Sequence, residues 1–173
     1  MKSSKFLTVL TIAVLLTAAI PSIATVKTDA DLQALKWRNI GPFNGGRGTT
    51  VVGHPTDKNV FWFGHGSGGL WKTTNNGITW DPIFENEGSY ALGVVTLDPS
   101  NPHTVWVGTG ENNAHSYLVP GDGVYRSADG GKSWKNTGLK ESQQIGEIVV
   151  HPEDQNTVWG AAYGSHRKSG GDR

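Results

Sequence analysis

Apolar and polar positions along this chain come in short bursts, with no sustained helical period. Three β-branched runs, Val51-Val52, Val94-Val95 and Ile148-Val149-Val150, each lead into a proline turn, at Pro55, Pro99 and Pro152. Seven residues beyond each proline stands a tryptophan: Trp62, Trp106 and Trp159. Short apolar runs bounded by turn residues predict buried strands. The pattern predicts strands at 49–53, 60–63, 69–73 and 79–84, then at 91–97, 104–108, 123–127 and 133–136, with a further set starting at Ile145. The β-branched runs read as innermost strands, packed on both faces. Residues 28–35 predict at most one short helical turn.

Two stretches align without a gap. Gly69-Leu70-Trp71-Lys72-Thr73-Thr74-Asn75-Asn76-Gly77-Ile78-Thr79-Trp80 matches Gly123-Val124-Tyr125-Arg126-Ser127-Ala128-Asp129-Gly130-Gly131-Lys132-Ser133-Trp134 column by column. In each, a strand reaches Thr73 or Ser127 and then a tight turn. The Asn75 or Asp129 side chain accepts from backbone N–H groups downstream. Gly77 and Gly131 supply positive φ, which a Cβ penalises. The strand resumes at Thr79-Trp80 or Ser133-Trp134, where the indole covers the hairpin. This pattern resembles the Asp box, or bacterial neuraminidase repeat. The resemblance implies a structural hairpin between the third and fourth strands of a β-propeller blade, away from any catalytic centre.

The seven tryptophans fall into three repeat columns: Trp37, Trp80 and Trp134; Trp62, Trp106 and Trp159; and Trp71, which pairs with Tyr125. Indoles in register point to packing between repeats rather than to scattered sugar platforms. The fold class is therefore all-β, a partial β-propeller of four-stranded antiparallel blades: two complete blades plus fragments of two others. The blades span 48–84, 91–137 and an incomplete 145–173. Trp37-Arg38-Asn39-Ile40-Gly41 matches Trp134-Lys135-Asn136-Thr137-Gly138, so residues 36–41 read as the closing strand of a last blade. Propellers commonly have about 4–8 blades, so the remainder of the ring is expected outside this sequence.

Composition adds location and excludes partners. Lys2 and Lys5 precede an apolar run ending at Pro21, and Ser22-Ile23-Ala24 offers small residues for cleavage. Residues 1–24 read as a signal peptide, with an uncleaved anchor as the alternative, and residues 25–35 as a lead-in. The protein is expected to be exported, periplasmic or extracellular, with no membrane association after cleavage. The chain has no cysteine, hence no disulfides and no lipid anchor at a cysteine. Removing Lys2 and Lys5 from 15 basic against 15 acidic residues leaves a charge of −2, which offers no electrostatic footprint for nucleic acid. Glycine, at 24 of 173 residues, is about twice its usual share and suits many short strands joined by turns.

Chemistry is expected on the face formed by the loops between second and third strands and between blades. The loop from Gly108 to Asp122 is ten residues longer than its counterpart in the first blade, and insertions confined to one face mark a binding face. Arg47, His65, Glu111, Asn112 and His115 are the ligand-binding candidates there. Thr73, Asn75, Gly77, Trp80, Ser127, Asp129, Gly131 and Trp134 are structural turn residues. No catalytic constellation, metal site or cofactor motif is expected. His54 and His151 share a column with Asp98 before a proline, which makes them turn residues.

Trp37 to Phe43 with Gly45-Gly46-Arg47, followed by Gly108-Thr109-Gly110-Glu111 and Gly121-Asp122-Gly123-Val124-Tyr125, resembles a family of large exported bacterial propellers. These are described as glycosyl-hydrolase-like or sortilin-type. The resemblance implies a non-catalytic module binding peptide, protein or glycan. The alternative is a glycoside hydrolase of the Asp-box propeller type, its catalytic residues partly outside this sequence. Xyloglucan endoglucanases place a catalytic Asp in Thr-Asp-x-Gly-Gly-x-Tyr-Arg. The similar stretch here is His65-Gly66-Ser67-Gly68-Gly69-Leu70-Trp71-Lys72, with Gly66 at the Asp position. The sialidase Arg motif has no counterpart.

Overall fold

A computed structural model describes residues 46–112 and 118–163. The expected signal peptide, lead-in and 36–41 strand with Trp37, and the chain beyond Tyr163, lie outside the described residues. Ten strands form three antiparallel sheets, and no helix occurs among the described residues. The first sheet runs β1 (Gly48–Gly53), β2 (Phe61–His65), β3 (Leu70–Thr73) and β4 (Asp81–Pro82). The second repeats that order with β5 (Leu92–Leu97), β6 (Val105–Thr109), β7 (Val124–Ser127) and β8 (Lys135–Gly138). A two-stranded sheet follows, with β9 (Ile145–Val150) and β10 (Val158–Ala162). In each four-stranded sheet, sequential strands are spatial neighbours. This is a partial propeller: two whole blades and half of a third.

Register repeats as well as order. Val51 pairs with Phe63 and Val52 with Trp62; Val95 pairs with Val107 and Thr96 with Trp106; Val149 pairs with Trp159. The proline turns between the paired strands share one device. His54 Nδ1 accepts from the backbone N–H of Asp57 at 3.0 Å, and His151 Nδ1 accepts from that of Asp154 at 3.0 Å. Asp98 Oδ1 accepts from Ser100 N–H at 2.8 Å in the same column. Imidazole nitrogen and carboxylate oxygen thus do one job, satisfying N–H groups that the turn withdraws from the ladder.

The inner strands β1, β5 and β9 lie side by side. At Gly93 an added Cβ would sit 2.2 Å from the Ile145 carbonyl oxygen, so β5 and β9 approach backbone to backbone and only glycine fits. The expectation that all three inner strands are buried on both faces holds for β5 alone. β5 lies between two neighbours and buries Leu92, Val94 and Val95. β1 and β9 each have one inner-strand neighbour among the described residues. Val51 is therefore 66% exposed and Val149 51%.

Between the first two blades lies the main core: Trp62, Leu70, Phe84, Leu92, Val95, Val105, Val107 and Tyr125, with Trp134 against it. Each fully buried Val or Leu here contributes roughly 1.5–3 kcal/mol. Trp134 belongs to the second blade but reaches the first. Its indole N–H donates to the Ile83 carbonyl at 2.8 Å, and its ring meets Phe84 edge-on, centroids 5.1 Å apart.

The repeated turns supply these tryptophans. Thr73 Oγ1 accepts from Gly77 N–H at 2.9 Å, and Ser127 Oγ accepts from Gly131 N–H at 2.8 Å. Asn75 Oδ1 accepts from Thr79 N–H at 2.9 Å, while Asp129 Oδ1 accepts from the N–H groups of Lys132 and Ser133, each at 2.9 Å. Gly77 and Gly131 have φ of 85° and 95°. Strand pairing resumes later than the sequence pattern predicts, at Asp81 and Lys135, because the N–H groups of Thr79 and Ser133 go to the turn side chains instead of the ladder. The indoles also differ in reach. Trp80 packs on Phe63 of its own blade with centroids 6.0 Å apart, whereas Trp134 spans the seam.

Hydrogen bonds from Ser133, Ser127 and Lys132 hold the Asp129 carboxyl well below the usual carboxylate range. A depressed folded-state pKa contributes stability that is present above the unfolded value of about 3.9 and is lost as pH falls through the folded value. Asp129→Asn should keep the acceptor, as Asn75 does in the first turn. Chemical-denaturation midpoints measured from pH 7 to pH 2 should therefore fall less steeply below pH ~4 in D129N than in the parent.

Candidate functional site

The loops at one end of the blades are joined by backbone hydrogen bonds into a continuous face. Gly66 N–H donates to Arg47 O at 2.9 Å, Gly69 N–H to Tyr90 O at 2.8 Å and Gly110 N–H to Ala91 O at 2.8 Å. Gly121 N–H donates to Gln143 O at 2.7 Å, and Tyr163 N–H to Gln144 O at 3.2 Å. The face thus runs from the residue before β1 to the residue after β10.

Two of the sequence candidates meet there. Arg47, just ahead of β1, donates its Nε–H to Glu111 Oε1 at 2.6 Å, and its Nη2 pairs with the same oxygen. Glu111 follows β6 in the next blade, so the pair crosses the seam. The exposures are unequal: the Arg47 side chain is 46% exposed and that of Glu111 is 0%. Glu111 Oε2 is buried with no hydrogen-bond partner among the described residues. A buried carboxylate fixes the guanidinium from below and leaves its outer N–H groups to solvent. This suits an oriented donor for hydroxyl or carboxylate oxygens.

Gly66 shapes the pocket that holds Glu111. A Cβ at Gly66 would lie 2.9 Å from both Cδ and Oε1 of Glu111. The carboxylate from the second blade fills the space that a side chain at position 66 would enter. Next to it, His65 ends β2, its ring 4.4 Å from that of Phe63. Burial lowers the His65 pKa, opposed by a backbone hydrogen bond at Gly46. Its Nδ1 is buried without a partner among the described residues.

Asn112 serves a different purpose. Its Nδ2 donates to Gly93 O at 3.1 Å and to Gly146 O at 3.2 Å, bridging β5 and β9. His115 lies outside the described residues. No group of three or more His, Asp or Glu among the described residues is placed to hold a metal ion.

Sequence reasoning missed two residues of this face and noted a third, Asp122, without making it a candidate. Tyr90 is largely exposed and Tyr163 partly so, the first in the stretch between β4 and β5 and the second directly after β10. Burial and the negative charge of Glu111 both raise the Tyr163 pKa. Asp122 is held at the far side of the long loop: Tyr125 Oη–H donates to Asp122 Oδ2 at 2.6 Å, and Asp122 N–H donates to Thr109 Oγ1 at 2.8 Å. Burial and Asp122 together raise the Glu87 pKa. The Gly-Asp-Gly-Val-Tyr run marked Asp122 in the sequence; nothing marked the tyrosines.

The fold is that of a partial β-propeller, and the known proteins it is similar to are xyloglucanases and a GH74 enzyme. No family model matches the chain. A probable oligoxyloglucan-reducing end-specific xyloglucanase of Neosartorya fischeri is 28% identical over 111 residues, covering 62% of this chain and 12% of that protein. Xyloglucanase Xgh74A of Acetivibrio thermocellus is 28% identical over 145 residues, covering 67% of this chain and 16% of that protein. Among solved structures, an ancestral GH74 enzyme superposes with a TM-score of 0.59 at 26% identity, covering 75% of this chain and 15% of that one. The chain thus spans less than a fifth of each of these relatives. No helix among the described residues is long and apolar enough to cross a membrane.

Arg47→Ala strips the counter-charge from a fully buried carboxylate. Unfolding free energy should drop by about 3 kcal/mol, the low end for a broken buried pair because Arg47 itself is half exposed. Glu111→Gln in the same chain should recover much of that loss. A double-mutant cycle by urea denaturation measures the coupling.

Proposed function

We propose that this chain belongs to a glycan-acting propeller of the Asp-box, glycoside-hydrolase type. Its loop face binds a xyloglucan-class β-glucan, and the hydrolytic carboxylates come partly from polypeptide outside the described residues. The observation that carries this reading is the half-exposed Arg47 guanidinium, fixed by buried Glu111 on a face that also exposes Tyr90 and Tyr163. Oriented N–H donors beside aromatic rings suit sugar hydroxyls and the apolar faces of pyranose rings. The xyloglucanase relatives favour a glycan over the peptide or protein ligand that the sortilin-type resemblance implies. Glu111 acts here as a positioning residue, because a carboxylate with no exposed surface does not reach a substrate.

One observation favours a second reading, glycan binding without hydrolysis. Gly66 stands where the resembling xyloglucanase motif carries its Asp, and two-carboxylate hydrolysis requires both groups to flank the bond. The same assay separates the two readings. The protein is titrated with xyloglucan oligosaccharides by calorimetry, and reducing-end release is followed in parallel. Binding with release supports the hydrolase, and binding alone supports the module. Arg47→Lys, which keeps a counter-charge for Glu111, should weaken binding about tenfold, close to 1.4 kcal/mol. Sugar affinity that is absent in the parent, or unchanged in R47K, overturns the assignment of this face.

A further inference from the structure

One edge of the Arg47 guanidinium is taken and another is open. Nε–H and Nη2 both turn to Glu111 Oε1, so Glu111 holds the edge that lies along the arginine stem. The two terminal nitrogens form a second edge at the tip of the side chain, with two parallel N–H donors. No other acceptor among the described residues meets the guanidinium. The side chain is 46% exposed, so the open edge faces solvent while the carboxylate beneath it fixes its direction.

Donor and acceptor chemistry decides what fits there. A guanidinium only donates, and the acceptor of this pair, Glu111, has no exposed surface. A sugar hydroxyl both donates and accepts, so against this edge its own proton is left to water. An ionised carboxylate only accepts, and its two oxygens match two parallel N–H groups.

Charge points the same way. The two edges of a planar guanidinium face directions roughly 120° apart, so a carboxylate on the open edge lies roughly 4 Å from the guanidinium carbon and roughly 7 Å from the Glu111 carboxyl group. At equal screening, attraction then outweighs repulsion by about 1.7 to 1, because Coulomb energy falls as the inverse of distance. Burial lowers the pKa of the neighbouring His65, so that imidazole is neutral at neutral pH and Arg47 carries the positive charge of this corner.

The surroundings add a further donor and a ring. Ser67 is exposed, and its Oγ lies 2.9 Å from where a Cβ on Gly46 would stand, so its hydroxyl borders the corner from which Arg47 projects. Two residues on, Gly69 N–H donates to the carbonyl of Tyr90, which ties the exposed tyrosine to the same side of the face.

We propose that the open edge of Arg47 is a subsite for a carboxylate borne by the glycan, a uronic acid unit on a β-glucan chain. The inference rests on the glycan reading of the loop face and adds to it a negatively charged sugar unit.

Three cello-oligosaccharides of equal length separate charge from shape: the neutral sugar, the same sugar oxidised at C6 to the uronate, and the methyl ester of that uronate. Calorimetry at fixed ionic strength measures each affinity. The uronate should bind about tenfold more tightly than its ester, since esterification removes the charge and one matching oxygen. In Arg47→Lys, which keeps a charge beside Glu111 and loses the planar fork, that ratio should fall to about threefold or less. A ratio taken within one protein is insensitive to any loss of stability in the variant. Equal affinity for uronate and ester, or a ratio unchanged in R47K, would overturn the inference and leave glycan binding in place. No affinity for any of these sugars or for xyloglucan oligosaccharides would bring down the glycan reading as well. An acetylated peptide with a free C-terminal carboxylate completes the set; its binding in place of the uronate would assign the subsite to a peptide and overturn the proposal.

Discussion

A four-stranded blade has two broad faces and cannot bury either one by itself. Every feature of this molecule follows from how neighbouring blades cover each other. The burial of the inner strands shows this: β5, between β1 and β9, is apolar and enclosed, while Val51 of β1 and Val149 of β9 face outward. Composition barely distinguishes these strands, since all three carry paired β-branched residues. Position in the radial order decides their exposure. The same gradient runs through the second-strand tryptophans. Trp62 is buried beneath the second blade, Trp106 borders a groove, and Trp159 is 55% exposed.

The repeated turn is the device that makes the covering specific. Its hydroxyl and its Asn or Asp satisfy the N–H groups of a tight bend, and this presents the following indole at a fixed height. Both turns were legible in the sequence, because local hydrogen bonding by Ser, Thr, Asn and Asp is written in residue type and spacing. Where the indole goes was not legible. Trp80 and Trp134 occupy the same column, yet one packs on Phe63 of its own blade and the other spans the seam to Ile83 and Phe84. That choice depends on the neighbouring surface, which no window of twelve residues contains. The later resumption of the fourth strand has a local cause instead, the capture of Thr79 and Ser133 N–H groups by Asn75 and Asp129.

The loop face was legible as a region and only partly as a site. The long insertion after β6 and the Gly-Gly-Arg run before β1 pointed to Glu111 and Arg47. Their pairing depends on two blades lying side by side, a long-range fact. Asn112 looked equally polar and equally placed, but its amide is used to bridge the backbones of β5 and β9. Polar residue type alone does not separate a group facing a ligand from one that holds two strands together. Burial and partners make that distinction.

Position 66 and position 111 are competitors for one volume. A Cβ at Gly66 already lies 2.9 Å from the Glu111 carboxyl group, so carboxylates at both positions would press two negative charges together in a water-poor seam. With no side chain at 66, Glu111 turns inward and pairs with Arg47. A side chain at 66 would expel Glu111 and free the guanidinium. The glycine and the ion pair are therefore one structural choice, and it settles what the face presents outward: an anchored cation in place of an exposed acid.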